Sequence, residues 1–540
     1  MTEPTTARRP RLHIILALVA ILPAAGHAVY FHLSTPALPY DDAHIAYRYV
    51  DNALAGRGLV YNEGERVFGC TAPLHLAWVA AWKTALPWVD TPALAVRANV
   101  VPFLVTAAAI FVLARRTLGG LLWPTALATC FLLQQQMLRI SGGGMEPFLF
   151  TALAGFAFVS MADRRPVATG LLLALAILTR PEGVVLVPLA AVAFARAPRK
   201  LLAAATACLI PVGAWVVFAW AYFGTPIPHS VVAKARPVFT FEPGHAYEVV
   251  VVCFRQWMTG AGIIPFALDN PLTKALGVAD VYRRHAPAVV VGALTVLAVC
   301  VPRLRRAGAY APGAAFCLLL VLYGRGNPFM FEWYMPLLYV TALLGVALPL
   351  IGLMAWARRW MARSTTSPVL QRGCVLAAQL AGLIWLGFAA FADGMITGRT
   401  WAAYAAIDGG ERVRILAYRT VAERLNAHIR PGDRVAAPEI GALGYYLRGR
   451  ILDAVGLVSP EATPYHPVPT TQRSGPGSGM IPGDLIDARQ PEWIVTMPTF
   501  AARSLFWRST FESNYARWDA VALPEPIWGS GEIVIYRRRW

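Results

Sequence analysis

The sequence predicts a polytopic α-helical membrane protein of about eleven transmembrane helices that ends in an extra-cytoplasmic mixed α/β domain. Three observations predict it. Hydrophobic residues make up 57 % of the 540 and charged residues only 14 %, against roughly 25 % charged residues in a soluble domain. Apolar stretches near membrane-spanning length recur from Leu12 to about Gly394. Beyond about residue 400 the composition turns polar and the apolar runs become short and strand-like.

The candidate spans are 12–31, 72–89, 97–114, 120–138, 146–161, 167–178, 183–195, 200–222, 287–301, 310–323, 333–356 and 374–396. The first follows Arg8, Arg9 and Arg11 and is not followed by a small-residue cleavage motif. It therefore reads as a retained span with a cytoplasmic N-terminus. Segment 72–89 contains His75 and Lys83 and reads as interfacial or re-entrant. Segments 167–178 and 183–195 flank Thr179-Arg180-Pro181-Glu182-Gly183. They form either two short spans or one broken helix, because non-helical backbone at membrane depth is tolerated where it lines a cavity.

The net charge is +18, and the positive residues sit in short clusters between apolar segments: Arg115 and Arg116; Arg164 and Arg165; Arg196, Arg199 and Lys200; Arg303, Arg305 and Arg306; Arg358, Arg359 and Arg363. Cytoplasmic loops collect Arg and Lys in this way, so membrane topology explains the charge and nucleic-acid binding does not. Placing every cluster inside leaves loops 32–72 and 223–286 and the terminal region 400–540 outside. That gives about eleven crossings in a plasma (inner) membrane, with residues 1–399 as the membrane domain and 400–540 as the outer one.

In the outer domain a polar helix is expected at 411–429, a turn at Arg430-Pro431-Gly432-Asp433, and strands near 434–438, 450–455, 492–497 and 532–537. Gly475–Gly479 reads as a loop. The seven cysteines include no CxxC pair, and Cys130, Cys208, Cys300 and Cys317 lie in apolar runs. They read as small packing residues, so no disulfide framework, metal site or cofactor is expected.

Chemistry concentrates in the first outer loop, Tyr40-Asp41-Asp42-Ala43-His44-Ile45-Ala46-Tyr47-Arg48-Tyr49, followed by Gly56-Arg57-Gly58-Leu59-Val60-Tyr61-Asn62 and Gly64-Glu65-Arg66-Val67. Charged groups held beside a cavity at a membrane mark function. One of two crowded carboxylates has its pKa raised, which suits a general base taking a proton from an acceptor hydroxyl. The same pair reads equally well as the N-terminal cap of a helix starting near Ala43.

Further polar residues fall on the same outer face. Ser141-Gly142-Gly143-Gly144-Met145-Glu146 joins two apolar runs, and Arg180 and Glu182 lie in the break. Tyr222-Phe223-Gly224-Thr225-Pro226-Ile227-Pro228-His229-Ser230 leads to Lys234, and Trp333-Tyr334 opens a late span. Arg48, Arg180 and Lys234 are suited to a lipid-linked phosphate, although each taken singly reads first as a snorkelling or loop-end residue. The glycine run reads as a flexible turn rather than a phosphate cradle.

The acidic pair, the following Arg-Tyr and the Gly-x-Gly-Leu-Val-Tyr-Asn-x-Gly-Glu-Arg-Val run resemble the GT-C superfamily of polyprenyl-phosphate-sugar glycosyltransferases. Within it the likeness is to actinobacterial terminal arabinofuranosyltransferases of cell-wall arabinan. Gly144-Met145-Glu146, Thr179–Gly183, Tyr222–Lys234 and Trp333-Tyr334 resemble that group's motifs in the same order, over about 40 to 340. The resemblance implies a GT-C-like membrane fold and inverting transfer of a sugar to a cell-envelope glycan acceptor. The donor is a polyprenyl-phosphate sugar, decaprenyl-phosphate arabinofuranose among the possibilities. It assigns the base to Asp41 and a positioning role to Asp42; the residues themselves do not choose between the two. His44, Arg48, Arg66, Glu146, Arg180, Glu182, His229, Lys234, Trp333 and Tyr334 are expected to bind donor or acceptor. Phe68 stands where relatives carry Glu, and His229 where they carry Asn. The alternative class is a lipid or polysaccharide flippase or transporter, which the broken 167–195 region would suit.

Overall fold

The computed structural model describes residues 8–36, 38–235, 242–259, 285–364, 368–397, 409–430, 432–473 and 480–539. The boundary expected near 400 and the Gly475–Gly479 loop lie outside the described residues, as does much of 223–286.

Among the described residues up to Thr397 the elements are all helical. Among the described residues, four helices are long and apolar enough to cross a membrane: His13–Ser34, Thr91–Leu118, Pro198–Phe223 and Glu332–Arg359. Six shorter apolar helices accompany them. At ~1.5 Å per residue a helix of 12 residues is about 18 Å long, short of the ~30 Å hydrocarbon core. Two of these helices therefore continue through breaks. Leu122–Leu133 passes through extended Gln134 into Gln135–Ser141, and the Gln134 side chain accepts the backbone N–H of Met137 at 2.8 Å. Pro181–Leu186, a 3-10 turn, runs into the helix Val187–Phe194.

Segment 72–89 forms the helix Pro73–Ala85. It is about 20 Å long, too short to cross alone, and packs against the helices Asp41–Leu54, Thr91–Ala98 and Pro166–Thr179. The expected span 97–114 begins earlier, because Thr91–Ala98 and Val100–Leu118 join at Asn99. The region around Arg180 is a break: Pro166–Thr179 ends there, Arg180 is extended, and the 3-10 turn packs back on that helix. Gly183 permits the fold-back, since a Cβ there would stand 2.8 Å from the backbone nitrogen of Ile177.

The terminal domain holds a five-stranded sheet, with β1 Arg434–Ala437, β2 Arg450–Asp453, β3 Trp493–Thr496, β4 Tyr515–Ile527 and β5 Ser530–Arg538. Its order is β2-β1-β3-β5-β4. β1 pairs in parallel with β2 and β3; β5 pairs antiparallel with β3 and β4. Four of these strands match the expected ones. β4 is an addition: Arg517, Asp519, Pro524 and Pro526 hide its pattern, and it tolerates proline because it is an edge strand with interrupted register.

The loop that follows the first helix and the terminal domain share one apolar core. Tyr40, Ala43, Tyr47, Val50 and Tyr61 from the loop are buried with Ile415, Tyr418, Ile440 and Leu443 from the terminal domain. This core sits above the helical bundle, whose own cluster is centred on residues such as Phe103, Phe148, Leu338 and Leu343.

Candidate active site

A cavity of about 290 Å³ lies where the helix Asp41–Leu54, the Arg180 break and the start of the helix Met335–Ser364 meet. Asp42, His75, Glu146, Arg180, Glu182, Ser230, Lys234, Trp333 and Tyr334 line it.

The two adjacent aspartates part company here. Both lie in the first turn of the helix Asp41–Leu54, and neither caps it with its side chain. Asp41 is buried, and its carboxylate accepts the backbone N–H of Gly441 at 3.2 Å and of Ala442 at 2.7 Å. Its own N–H donates to Glu411 Oε1 at 3.0 Å. Asp41 is thus fixed to the terminal domain and does not line the cavity. Asp42, one residue on, points the other way and lines it. Its open surface is the cavity wall, and the dense surroundings push its carboxyl up to about 6. Burial is the largest cause; Lys234 opposes it and Asp41 adds to it.

Arg180 lies between two carboxylates, with Nη1 2.8 Å from Glu146 Oε1 and Nη2 2.9 Å from Glu182 Oε1. Its guanidinium also stacks over Tyr334, 4.7 Å from the ring centroid. These contacts lock the planar group in place and commit two of its five N–H donors. Lys234 sits on the helix His229–Ala235, and among the described residues no carboxylate lies within ion-pair distance of it. The Ser230 hydroxyl is buried and lacks a hydrogen-bond partner. Trp333 stacks on Phe331 at 4.3 Å between centroids and packs against Tyr40 at 5.4 Å.

Tyr40 sets the position of the acidic pair. Its hydroxyl donates to Glu332 Oε2 at 2.8 Å, and Arg139 pairs with the same carboxylate. The glycine run is a packing turn. A Cβ on Gly143 would meet the Tyr40 ring at 2.0 Å, and Gly144, with φ of +73°, accepts the Tyr47 hydroxyl at 2.7 Å.

Four expected binding residues lie elsewhere. Arg48 does not reach the cavity; its guanidinium donates to the carbonyls of Tyr61 (2.7 Å), Gly449 (2.9 Å) and Gly444. A planar group with five donors suits that carbonyl cluster, so Arg48 ties the loop to the terminal domain. His44 is fully buried among Tyr47, Tyr445 and Tyr446, with Nδ1 3.0 Å from the Tyr40 carbonyl. Arg66 stacks over Tyr222 at 4.8 Å. His229 bonds through Nε2 to Thr463 at 3.1 Å, and its backbone N–H reaches the carbonyl of Phe68. The two positions that depart from the resemblance are therefore neighbours.

Sequence reading missed His75 and Ser230 as cavity walls, although a histidine in an apolar helix was a visible signal. It also missed the carboxylate cluster behind Asp41. There Arg414 pairs with both Glu411 and Glu439, and Tyr418 donates to Glu439 at 2.7 Å. The bond that brings this cluster to Asp41, from its N–H to Glu411, joins residues 370 positions apart and left no local pattern. Among the described residues no group of three or more His, Cys, Asp or Glu side chains is placed to hold a metal ion.

Residues 405–536 match the model of a domain of unknown function, DUF8728. A search of curated proteins finds no match. Among solved structures, ArnT from Cupriavidus metallidurans bound to undecaprenyl phosphate superposes with a TM-score of 0.52 at 14 % identity, over 98 % of each chain. The Archaeoglobus fulgidus oligosaccharyltransferase in complex with Zn and sulfate gives 0.50 at 12 % identity, over 93 % of this chain and 72 % of that one. The arabinofuranosyltransferase AftD from mycobacteria gives 0.48 at 14 % identity, over 98 % of this chain but 40 % of its own length. The chain shares the overall fold of the first two.

Proposed function

We propose that this chain is an inverting membrane glycosyltransferase that moves a sugar from a polyprenyl-phosphate donor to a glycan acceptor on the outer face of the membrane. The observation that carries this reading is Asp42. It is a carboxylate of raised pKa, in a cavity at the top of an apolar helical bundle, facing Lys234 and the braced Arg180. The fold shared with ArnT, whose structure holds undecaprenyl phosphate, supports a lipid-phosphate donor. The first-loop motif supports arabinofuranose as the sugar.

Asp42 takes the proton of the acceptor hydroxyl. The acceptor oxygen forms a bond to the anomeric carbon, while the bond from that carbon to the phosphate oxygen breaks. The polyprenyl phosphate departs with the electron pair, and direct displacement inverts the configuration. Lys234 and the remaining Arg180 donors stabilise the charge gathering on the leaving phosphate. Ser230, buried and unpartnered, supplies a hydrogen bond to a sugar hydroxyl. Trp333 offers an apolar face to the ring. Asp41 holds the acidic turn and is not the base. The charge clusters support an N-terminus inside and a terminal domain outside.

The test is transfer from a radiolabelled polyprenyl-phosphate sugar to a short glycan by the purified full chain. Asp42→Asn should abolish it and Asp41→Asn should leave part of it. Transfer that survives Asp42→Asn overturns the base; a chain that accepts no such donor overturns the class.

A further inference from the structure

At the other end of the bundle is a second, larger cavity. The helix Arg8–Ser34 leads to Tyr40 by its C-terminal end, and lines this cavity from its first half through His13, Leu16 and Ala20. The helix Met335–Ser364 begins beside Trp333 and Tyr334, and lines it through Ile351–Arg359. About 16–24 residues of helix separate the two sites, or about 24–36 Å. The cavity has a volume of about 1180 Å³, above the range of about 300–1,000 Å³ usual for small-molecule pockets.

Its walls are apolar: Leu16, Leu118, Leu122, Trp123, Ile351, Trp356 and Leu383 are among them. Leu16, Leu122 and Trp356 remain half-exposed, so the cavity opens sideways at the surface that faces lipid. Its charged lining is Arg303, Arg358 and Arg359, drawn from two helices far apart in sequence, Pro302–Arg306 and Met335–Ser364, with no carboxylate among the lining residues. Among the described residues none of the three has a carboxylate within ion-pair distance, whereas nearby Arg116 pairs with Asp163. Inside, the hydroxyls of Thr125 and Thr129 have no hydrogen-bond partner. Thr125 is only 8 % exposed, and a helical threonine ordinarily bonds its own backbone.

We propose that this cavity binds one anionic phospholipid, with its phosphate on Arg303, Arg358 and Arg359 and its acyl chains along the apolar walls. Each part of the cavity answers a part of that ligand. A free phosphate leaves the apolar walls empty, and a zwitterionic lipid brings a cation against the arginines. Basic pockets between membrane helices recognise anionic head groups in this way. No residue lines both cavities, so this site is separate from the one around Asp42.

The purified full chain in neutral detergent is titrated with cardiolipin, phosphatidylcholine or inorganic phosphate, and bound lipid is read by native mass spectrometry. Cardiolipin is expected to bind as one molecule per chain, and the other two are not. Arg303→Gln with Arg358→Gln should weaken cardiolipin by roughly 25-fold, the effect of two charges near an anionic lipid. All the arginines involved are exposed, so both doubles are compatible with folding. The control double, Arg305→Gln with Arg306→Gln, removes equal charge from residues outside the cavity and should leave cardiolipin bound. Equal binding of phosphatidylcholine overturns the proposal, as does equal loss in both doubles. Saturation by inorganic phosphate alone would make it an anion site and overturn the lipid.

Discussion

The carboxylate of Asp41 accepts the backbone N–H of Ala442 at 2.7 Å, across a sequence separation of 401 residues. The residue to which the family resemblance assigns the base is thereby tied to the terminal domain. The adjacent Asp42 is left facing the cavity.

Exchanging each aspartate for asparagine should separate the two roles. Asp42→Asn is expected to lower kcat by about 10²–10⁴, the usual contribution of a general base, with the melting temperature nearly unchanged. Asp41→Asn keeps one acceptor oxygen but loses the charge. It should cost about 1–3 kcal/mol of stability and reduce turnover less. Donor turnover and thermal unfolding of both variants check this; the opposite pattern would restore Asp41 as the base.

The Asp42 carboxyl is raised from the ordinary 3.8 to about 6, and this has two consequences of opposite sign. The base must be ionised, so activity should rise with pH through about 6. A folded state that holds its proton more tightly than the unfolded chain binds more protons between these pH values. This group's contribution to stability is therefore full below about 4 and lost as pH climbs to about 6. Lys234 lowers the Asp42 pKa, so Lys234→Gln should move the acid limb of the rate profile to higher pH. A pH–rate series on wild type, Lys234→Gln and Asp42→Asn decides it. An unmoved limb in Lys234→Gln would remove Lys234 from the site.

Arg48 should behave as a structural residue. Its guanidinium serves carbonyls of both the loop and the terminal domain. Arg48→Lys keeps the charge but loses the fork, leaving carbonyls underserved at a cost of about 2–3 kcal/mol. The expected signature is a lower melting temperature with an unchanged KM for the donor. A raised KM at full stability would return Arg48 to the phosphate.

Much of this was legible in the sequence because it is written locally. Apolar runs mark the bundle, Arg180-Pro181-Glu182-Gly183 marks its break, and Val435, Ile451, Ile494 and Ile535 mark four buried strands. Charge and rarity drew attention to Asp42, Glu146, Arg180, Glu182 and Lys234, and the fold brings them to one cavity. What stayed hidden is long-range. Nothing near Arg48 announces that its acceptors lie near residue 449. Nothing near His44 says that Tyr445 and Tyr446 enclose it. The choice between two adjacent aspartates depends on which side of a helix the terminal domain covers, and no local pattern encodes that.

The glycine run tests how tightly the acidic turn must be held. Tyr40 is fixed by its hydroxyl on Glu332, by Trp333 against its ring, and by its own N–H on the Gly143 carbonyl at 3.0 Å. A Cβ on Gly143 would stand 2.0 Å from that ring, and the fixed ring cannot yield without moving Asp41 and Asp42, the next two residues. Gly143→Ala is therefore expected to cost about 1–3 kcal/mol through overpacking. It should also lower turnover by more than the loss of folded protein explains. Gly26→Ala is the matched control: it lies within the helix Arg8–Ser34, and a Cβ there meets nothing within 4 Å. It should be neutral or stabilising by up to about 1 kcal/mol. Melting temperature and specific activity per folded molecule separate the two effects. If Gly143→Ala loses stability alone, the turn is only a packing device and Asp42 tolerates displacement.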